Sequence, residues 1–334
     1  MKLFKNRAAR RAAVLFLLVL TASLLTFTAL ANDMTIRTEP AENNLPPVAE
    51  NLEFTTFKGV AVTGRLSGMD PDGDVLSFEV VSGPRRGEVA ASENGEFTYT
   101  PKDGAKGKDS FAYVAVDAAG NVSGDATVSV TIKKQTTKTT YADMSGSGAQ
   151  YAALVLSEKG VFTGEKLGGQ FFFRPDEPVS RGEFLAMCLD VAGVEALGGV
   201  TRTGFYDDAE IPAWVKPYVS TALMNGVVKG YKTDEGRLVF APQNPVTFSE
   251  AAVMLNKVLN VTDVMSVAAV EAEAVPAWAY SAAVNLSACK ILPSGVSDYC
   301  GDAVTRGDAA QILLASMELL ENRDAKASLL GWAK

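Results

Sequence analysis

Three stretches decide how the second half of this chain is built: Pro178-Val179-Ser180-Arg181-Gly182-Glu183-Phe184, Pro245-Val246-Thr247-Phe248-Ser249-Glu250-Ala251 and Ala303-Val304-Thr305-Arg306-Gly307-Asp308-Ala309. They recur at offsets of 67 and 58 residues, the period of a repeated supersecondary unit. Each pairs a hydroxyl with an acid three positions later: Ser180 with Glu183, Thr247 with Glu250, Thr305 with Asp308. In that pattern the hydroxyl caps the third helical N–H and the acid reaches back to the cap's own N–H. Apolar residues follow at helical spacing: Phe184, Met187, Cys188 and Val191; Ala251, Met254, Leu255 and Val258; Ala309, Ile312 and Leu313. Each box is therefore predicted to open an amphipathic helix with one buried stripe.

A second recurring element precedes the later boxes. Ile211-Pro212-Ala213-Trp214 and Val275-Pro276-Ala277-Trp278 lie 64 residues apart, with Pro where a helix's first turn tolerates it. Those helices are expected to end near Gly226-Val227-Val228-Lys229-Gly230 and Lys290-Ile291-Leu292-Pro293-Ser294, and Gly160-Val161-Phe162-Thr163-Gly164 is the first copy's counterpart. The units run over residues 141–200, 201–265 and 266–325, followed by a tail over 326–334. Each is helix, loop, capped helix, and none is large enough for a good core alone, so the three are expected to pack together.

These residues resemble S-layer homology domains, whose hallmark is a Thr-Arg-Ala-Glu-like box opening the second helix after an Asp and a Trp that open the first. The resemblance implies an all-α bundle of three repeats about a pseudo-threefold axis that binds cell-wall polysaccharide, with carboxylated sugars, for example pyruvylated ones, as ligands. On that reading Arg181 and Arg306 set guanidinium groups beside helix N-termini, where free N–H groups and the dipole favour anions. Arginine also matches carboxylate geometry bidentately. The alternative for each arginine is a surface salt bridge. Trp214 and Trp278 either stack on sugar faces or fill the inter-repeat core. Asp143, Asp207 and Glu271 are placed to accept sugar hydroxyls. Copy two departs from the box with Phe248 and Ser249, which weakens its anion site. Copy one lacks Pro-Ala-Trp, with Tyr151 as a substitute, and copy three has Glu271 but no Phe-x-Asp. One or two competent grooves are expected rather than three.

Upstream, residues 44–134 alternate in short apolar runs such as Leu76–Val80, Phe97–Thr100, Phe111–Val116 and Ala126–Ile132. Turn residues separate them: Asp70-Pro71-Asp72-Gly73-Asp74, Ser82-Gly83-Pro84 and Asn94-Gly95. About seven short strands in this length predict an Ig-like β-sandwich. The polar segment 135–140 links it to the repeats. Asp70, Asp72 and Asp74 alternate in a tight loop, where they either direct oxygens at one hard cation or form an acidic, solvated turn. Position twelve holds Val81 rather than glutamate, so the loop is not an EF-hand. Asn44–Ala49, this loop, Gly83–Gly87, Phe97–Pro101, Gly107–Phe111 and Asp117–Gly120 together resemble bacterial cadherin-like repeats. That resemblance implies an extracellular spacer or adhesion module stabilised by calcium, with Asp70, Asp72, Asp74 and Asp117 as ligands.

The N-terminus reads as an address. Five basic residues precede an apolar run from Ala12 that ends in Thr28-Ala29-Leu30-Ala31, the pattern of a secretory signal cleaved after Ala31; an uncleaved anchor is the alternative. A polar spacer covers residues 32–43. The full chain of 334 residues has a net charge of −8; residues 1–31 carry five basic and no acidic residues, so without them 26 basic face 39 acidic residues, −13. That charge argues against a nucleic-acid partner. The chain has no histidine, which removes Ser-His-Asp, Cys-His and HExxH chemistry. Of the three cysteines, Cys188 falls on a buried helix face, while Cys289 and Cys300 either form a disulfide in an exported chain or sit in the core. The function expected is a non-catalytic surface protein, anchored to wall polysaccharide or peptidoglycan and displaying the sandwich as spacer or adhesin to a protein or glycan. The alternatives are a component of a surface array and, behind it, a wall-associated carboxylate enzyme.

Overall fold

The computed structural model describes residues 44–262, 270, 273–293 and 295–329. The segments read from the sequence as a secretory signal (1–31) and a spacer (32–43), and Glu271, lie outside the described residues. Among the described residues no helix is long and apolar enough to cross a membrane.

Residues 44–134 form the expected β-structure. A four-stranded sheet has the order β2 (Leu52–Phe57), β9 (Ala126–Lys133), β8 (Gly107–Val116), β5 (Ser77–Ser82). A three-stranded sheet has the order β3 (Val62–Arg65), β7 (Glu96–Pro101), β6 (Gly87–Ala91). The pair β1 (Val48–Ala49) and β4 (Gly68–Met69) closes one end. β2 runs parallel to β9, and the other ladders are antiparallel. In β9 the alternation is legible residue by residue: Ala126, Val128, Val130 and Ile132 are buried while Thr127 and Ser129 are exposed. The inner faces meet on Phe97, Tyr99, Phe111 and Tyr113. Gly87 is fixed by that packing, because a Cβ there would lie 2.4 Å from the Tyr99 ring.

The second region begins with α1 (Gln150–Lys159), followed by α2 (Arg181–Val191), α3 (Lys216–Met224), α4 (Phe248–Val258), α5 (Ala277–Ala288), the short α6 (Val296–Tyr299) and α7 (Arg306–Leu329). It is not all-α, as the sequence reading had it. Two hairpins, β10 (Glu165–Leu167) with β11 (Gln170–Phe172) and β12 (Tyr231–Lys232) with β13 (Leu238–Val239), fill the loops of copies one and two. Their cause is local. Gly168 and Gly169 both take positive φ (56° and 87°), the conformation of a two-residue hairpin turn.

All three capping boxes are formed. Ser180 Oγ and Thr247 Oγ1 accept the N–H groups of Glu183 and Glu250, and each acid accepts its cap's N–H. Thr305 Oγ1 accepts Asp308 N–H at 3.1 Å, while Asp308 accepts Thr305 N–H at 3.0 Å. The valines just before the caps close a ring. Val179 N–H donates to Val304 O at 2.9 Å, Val304 N–H to Val246 O at 2.8 Å, and Val246 N–H to Val179 O at 3.0 Å. All three are buried, so the ring ties the boxes together at the centre of one continuous apolar core.

The sandwich is docked on this core rather than held away from it. Phe57 and Val60 are buried with the helical residues, and the Phe57 and Tyr151 rings lie 5.2 Å apart. Further along the same flank Thr63 meets Gly148 O at 3.4 Å and Lys290 Nζ lies 3.5 Å from Glu50. The linker is also tied down, since Glu158 Oε1 accepts the N–H groups of Thr136 and Thr137. All three cysteines are free. Cys300 is buried and its thiol donates to Ala274 O at 3.1 Å, so the Cys289–Cys300 disulfide considered from the sequence is not formed.

Candidate functional site

The residue after each cap crosses to another copy. Arg181 of copy one lies against copy two: its guanidinium carbon is 4.6 Å from the Tyr231 ring centre and 5.3 Å from that of Phe240. Its Nη1 sits 3.3 Å from Glu250 of the second box, and Tyr231 OH donates to the same carboxylate. Phe248 of copy two packs edge-on against Tyr299 of copy three at 4.5 Å. Arg306 of copy three returns to copy one, with its guanidinium 4.4 Å from Phe162 and 5.6 Å from Phe173. The three inter-copy grooves thus share a plan but differ in chemistry.

Arg181 is buried, with 6% exposure, and already has a counter-ion. The sequence expectation of an open anion-binding guanidinium is corrected there: the partner is a half-buried glutamate supplied by the next box. Arg306 is half-buried. Its Nε donates to Phe173 O at 2.6 Å, and among the described residues its terminal nitrogens have no hydrogen-bond or ion-pair partner. Burial lowers its proton affinity, and the charges of Glu183, Glu165 and Glu177 offset part of that. Glu165 and Glu177 are themselves paired with Arg174, at 2.8 and 3.3 Å. The Phe248 groove has no cation at this position.

The helix N-termini are not free, contrary to the expectation from the sequence. Arg181 and Gly182 N–H donate to Asn244 O and Pro242 O, Phe248 and Ser249 N–H to Asp302 O and Cys300 O, and Arg306 and Gly307 N–H to Glu177 O and Pro175 O. Each first turn is covered by carbonyls of an adjoining copy's loop, so the dipole offers no vacant donors and only the side chain remains for a ligand.

Asp143 and Asp207 occupy equivalent places with a role other than the one expected. Asp143 accepts Phe173 N–H at 2.9 Å and Arg174 N–H at 2.7 Å; Asp207 accepts Phe240 N–H at 2.9 Å and Ala241 N–H at 2.7 Å. Arg174 and Ala241 both adopt positive φ, at 57° and 56°, which is costly for non-glycine residues. Each aspartate therefore clamps a strained turn and positions the phenylalanine under the arginine, rather than offering free oxygens to sugar hydroxyls. Trp214 and Trp278 are 55% and 62% exposed, which removes the core-filling alternative. Tyr151 is half-buried against Phe57. The aromatic floor of Phe162, Phe173, Tyr231 and Phe240 was missed from the sequence. A signal for it existed: Phe173-Arg174-Pro175 and Phe240-Ala241-Pro242 each begin seven residues before a cap.

In the sandwich, Asp70 Oδ1 accepts the N–H groups of Asp72 and Asp74, and Asp72 Oδ2 accepts Leu45 N–H. Asp117 is buried and engaged by the backbone of Ala119 and Asn121 and by the Asn44 and Asn121 amides. Among the described residues no three acidic or thiol side chains gather as a metal cluster. One atom is out of balance: Asp70 Oδ2 is buried without a hydrogen-bond partner.

Comparison with known proteins agrees with this division. The model for the bacterial cadherin-like domain matches residues 44–134, and that for the S-layer homology domain matches residues 140–185 and 204–252. A curated relative, the surface-layer 125 kDa protein of Lysinibacillus sphaericus, is 26% identical over 124 residues, covering 37% of this chain and 10% of that protein. The chain thus matches about a tenth of the relative's length. Among solved structures, the SrpA adhesin of Streptococcus sanguinis (R347E mutant) is 22% identical with a TM-score of 0.21, covering 30% of this chain and 62% of that one. The fibronectin(III)-like modules of Clostridium thermocellum CbhA are 17% identical with a TM-score of 0.20, covering 27% and 48%. Likeness at that level carries no argument. On the family matches, the chain carries a bacterial cadherin-like domain over residues 44–134 followed by S-layer homology domains between residues 140 and 252.

Proposed function

We propose that this chain is an exported, non-catalytic surface protein held noncovalently at the cell wall by its S-layer homology repeats, with the cadherin-like module as spacer or adhesin. The ligand on this reading is a wall polysaccharide carrying carboxylates, such as pyruvylated sugars. Residues 266–325 act as a divergent third repeat about a pseudo-threefold axis, a reading supported by the valine ring that joins all three boxes.

The observation that carries the proposal is Arg306. It is a half-buried cation over two aromatic rings, and its terminal nitrogens lack partners among the described residues. A carboxylated sugar fits that arrangement: the acid meets the guanidinium fork and the sugar's apolar face meets the rings. The Arg181 groove is closed by Glu250, and the Phe248 groove lacks a cation, so binding is assigned to one groove. The test is co-sedimentation of the full chain with cell-wall sacculi, before and after mild acid stripping of their polysaccharide. Arg306→Ala is expected to lose binding and Trp278→Ala to weaken it, while unstripped sacculi retain the wild type. A folded Arg306→Ala that binds as well as the wild type sinks the groove assignment, and binding that survives stripping reassigns the ligand to peptidoglycan.

The relative's name favours a second reading, a component of a surface array. Removing the wall polymer releases an anchored protein, whereas array material stays behind as sheets. Calcium at the Asp70–Asp74 loop belongs to the first reading. Its support is the unpartnered buried oxygen of Asp70. With Asp72 and Asp117 already engaged, such a site is weak, with a dissociation constant on the order of millimolar.

A further inference from the structure

The two ends of the sandwich carry opposite charge, and the strand register shows how. Asp70, Asp72, Asp74, Glu93 and Asp117 lie in the loops of one end. At the other, Arg86 O accepts Lys102 N–H at 2.9 Å, and Arg86 Nη1 donates to Lys106 O at 2.6 Å. Lys102 Nζ reaches Arg85 O at 3.3 Å, and the pairing of Gly107 with Ile132 brings Lys106 and Lys108 beside Lys133. Arg85, Arg86, Lys102, Lys106, Lys108 and Lys133 are all exposed, and none forms an ion pair among the described residues. Of the nearby acids, Glu88 and Asp103 are exposed. Asp109 is engaged by the N–H groups of Arg85 and Arg86 and by Tyr99 OH. Six clustered, unpaired cations in a chain of net charge −8 are a local reversal of sign that the fold alone does not require.

We propose that this basic end is a second contact surface for an anionic polysaccharide bearing carboxylate or phosphate groups. The choice of partner rests on the wall-binding reading above; the patch itself does not. Two observations favour a charged glycan over other polyanions. The chain leaves the sandwich from this end, at Lys133, and Phe57, which pairs with Lys133, packs on the repeats, so the patch adjoins the region to which wall binding is assigned. The patch also has no exposed aromatic ring for stacking bases and no large exposed apolar side chain for insertion into a bilayer. The sandwich is then part of the anchor, and the two contacts add through effective concentration because the sandwich is docked on the repeats.

The test uses the full chain with all three of Lys102, Lys106 and Lys108 changed to Gln, on unstripped sacculi at 50 and 300 mM NaCl. Exposed-charge attraction is screened by salt, so the variant is expected to bind about tenfold more weakly at 50 mM and within about twofold of wild type at 300 mM. Arg306→Ala, by contrast, loses binding at both. Binding of the triple variant within twofold of wild type at 50 mM, with an unchanged melting temperature, overturns the proposal. So does tighter wild-type binding to a single-stranded oligonucleotide or to phosphatidylserine vesicles than to sacculi. Weakening by the lysine changes together with none from Arg306→Ala keeps the patch and removes the groove.

Discussion

Removing the carboxylate of Glu250 should cost the protein far more than removing that of Glu183, although both occupy the same place in the same motif. Each acid accepts its cap's N–H, at 3.2 Å from Thr247 and 3.1 Å from Ser180, and losing that half of the box costs about 1 kcal/mol. Glu250 has two further partners, Arg181 Nη1 at 3.3 Å and the Tyr231 hydroxyl. The Arg181 side chain is only 8% exposed and its Nε already lacks a partner. Breaking a buried pair from one side leaves an uncompensated charge and costs about 3–5 kcal/mol. Glu250→Ala should therefore destabilise by about 4 kcal/mol and Glu183→Ala by about 1 kcal/mol. Arg181→Met removes the cation instead and leaves Glu250 its Thr247 and Tyr231 donors, so about 1–2 kcal/mol is expected. The double variant Arg181→Met/Glu250→Ala should be more stable than Glu250→Ala alone. Urea unfolding followed by circular dichroism at 222 nm measures all four. If Glu250→Ala and Glu183→Ala agree within about 0.5 kcal/mol, the closed-groove argument for Arg181 is wrong.

Three other outcomes are expected. The Lys216 ammonium and the N–H and hydroxyl of Thr203 hold the Asp208 carboxyl down at about 2. That lies below its ordinary value, so its stabilisation is full above about pH 4 and fades as pH falls toward 2; Asp208→Asn should flatten stability across this window, and an unchanged acid slope would contradict it. Calcium at about 5 mM should raise the melting temperature by a few degrees, as expected for a site of millimolar affinity, and Asp70→Asn should abolish the shift; no shift in the wild type ends the calcium reading. Iodoacetamide should label the half-buried Cys289 first and reach Cys188, whose thiol burial pushes well up, only on unfolding. An intact mass two daltons low before reduction would instead mean a disulfide.

The parts of the structure legible in the sequence are those written within one copy. The capping boxes, the apolar stripes behind them and the strand alternation of residues 126–132 depend on neighbours a few positions away, and they appear as expected. What was not legible depends on residues in another copy or another domain. Ser180, Arg181 and Glu183 predict a capped helix with an open cation, but the group that neutralises Arg181 is 69 residues on, in the second box. The helix N-termini looked vacant because the carbonyls that cover them belong to loops of adjoining copies. Asp143 and Asp207 carried the right signal with the wrong use: an acid before a turn was read as a ligand group, and the strained backbone it satisfies became visible only with φ known. Docking through Phe57 had no local signature, because Phe57 reads as the end of an ordinary strand.

These differences bear on how repeated binding motifs should be counted. The residue after the cap is always aimed at another copy, so a groove is specified by two boxes at once: the cation from one, the acid and aromatic floor from another. Arg181 meets a glutamate within contact distance and a tyrosine that holds it, and the two charges neutralise each other. Arg306 meets Glu183 only through the longer-range field, since that acid's oxygen Oε2 accepts Ser180 N–H and hydroxyl, and its guanidinium keeps unpaired nitrogens over two rings. Phe248 meets Tyr299, and the groove becomes an aromatic contact that adds packing instead of charge. Two arginines in the motif thus yield one available cation among the described residues. The closed groove also has a structural use, because the Arg181–Glu250 pair, held largely out of water, ties copies one and two together, while on the proposed reading the third interface stays open to ligand. If the proposed binding at Arg306 holds, divergence between the copies is what lets a ring of three similar units hold itself together and still bind.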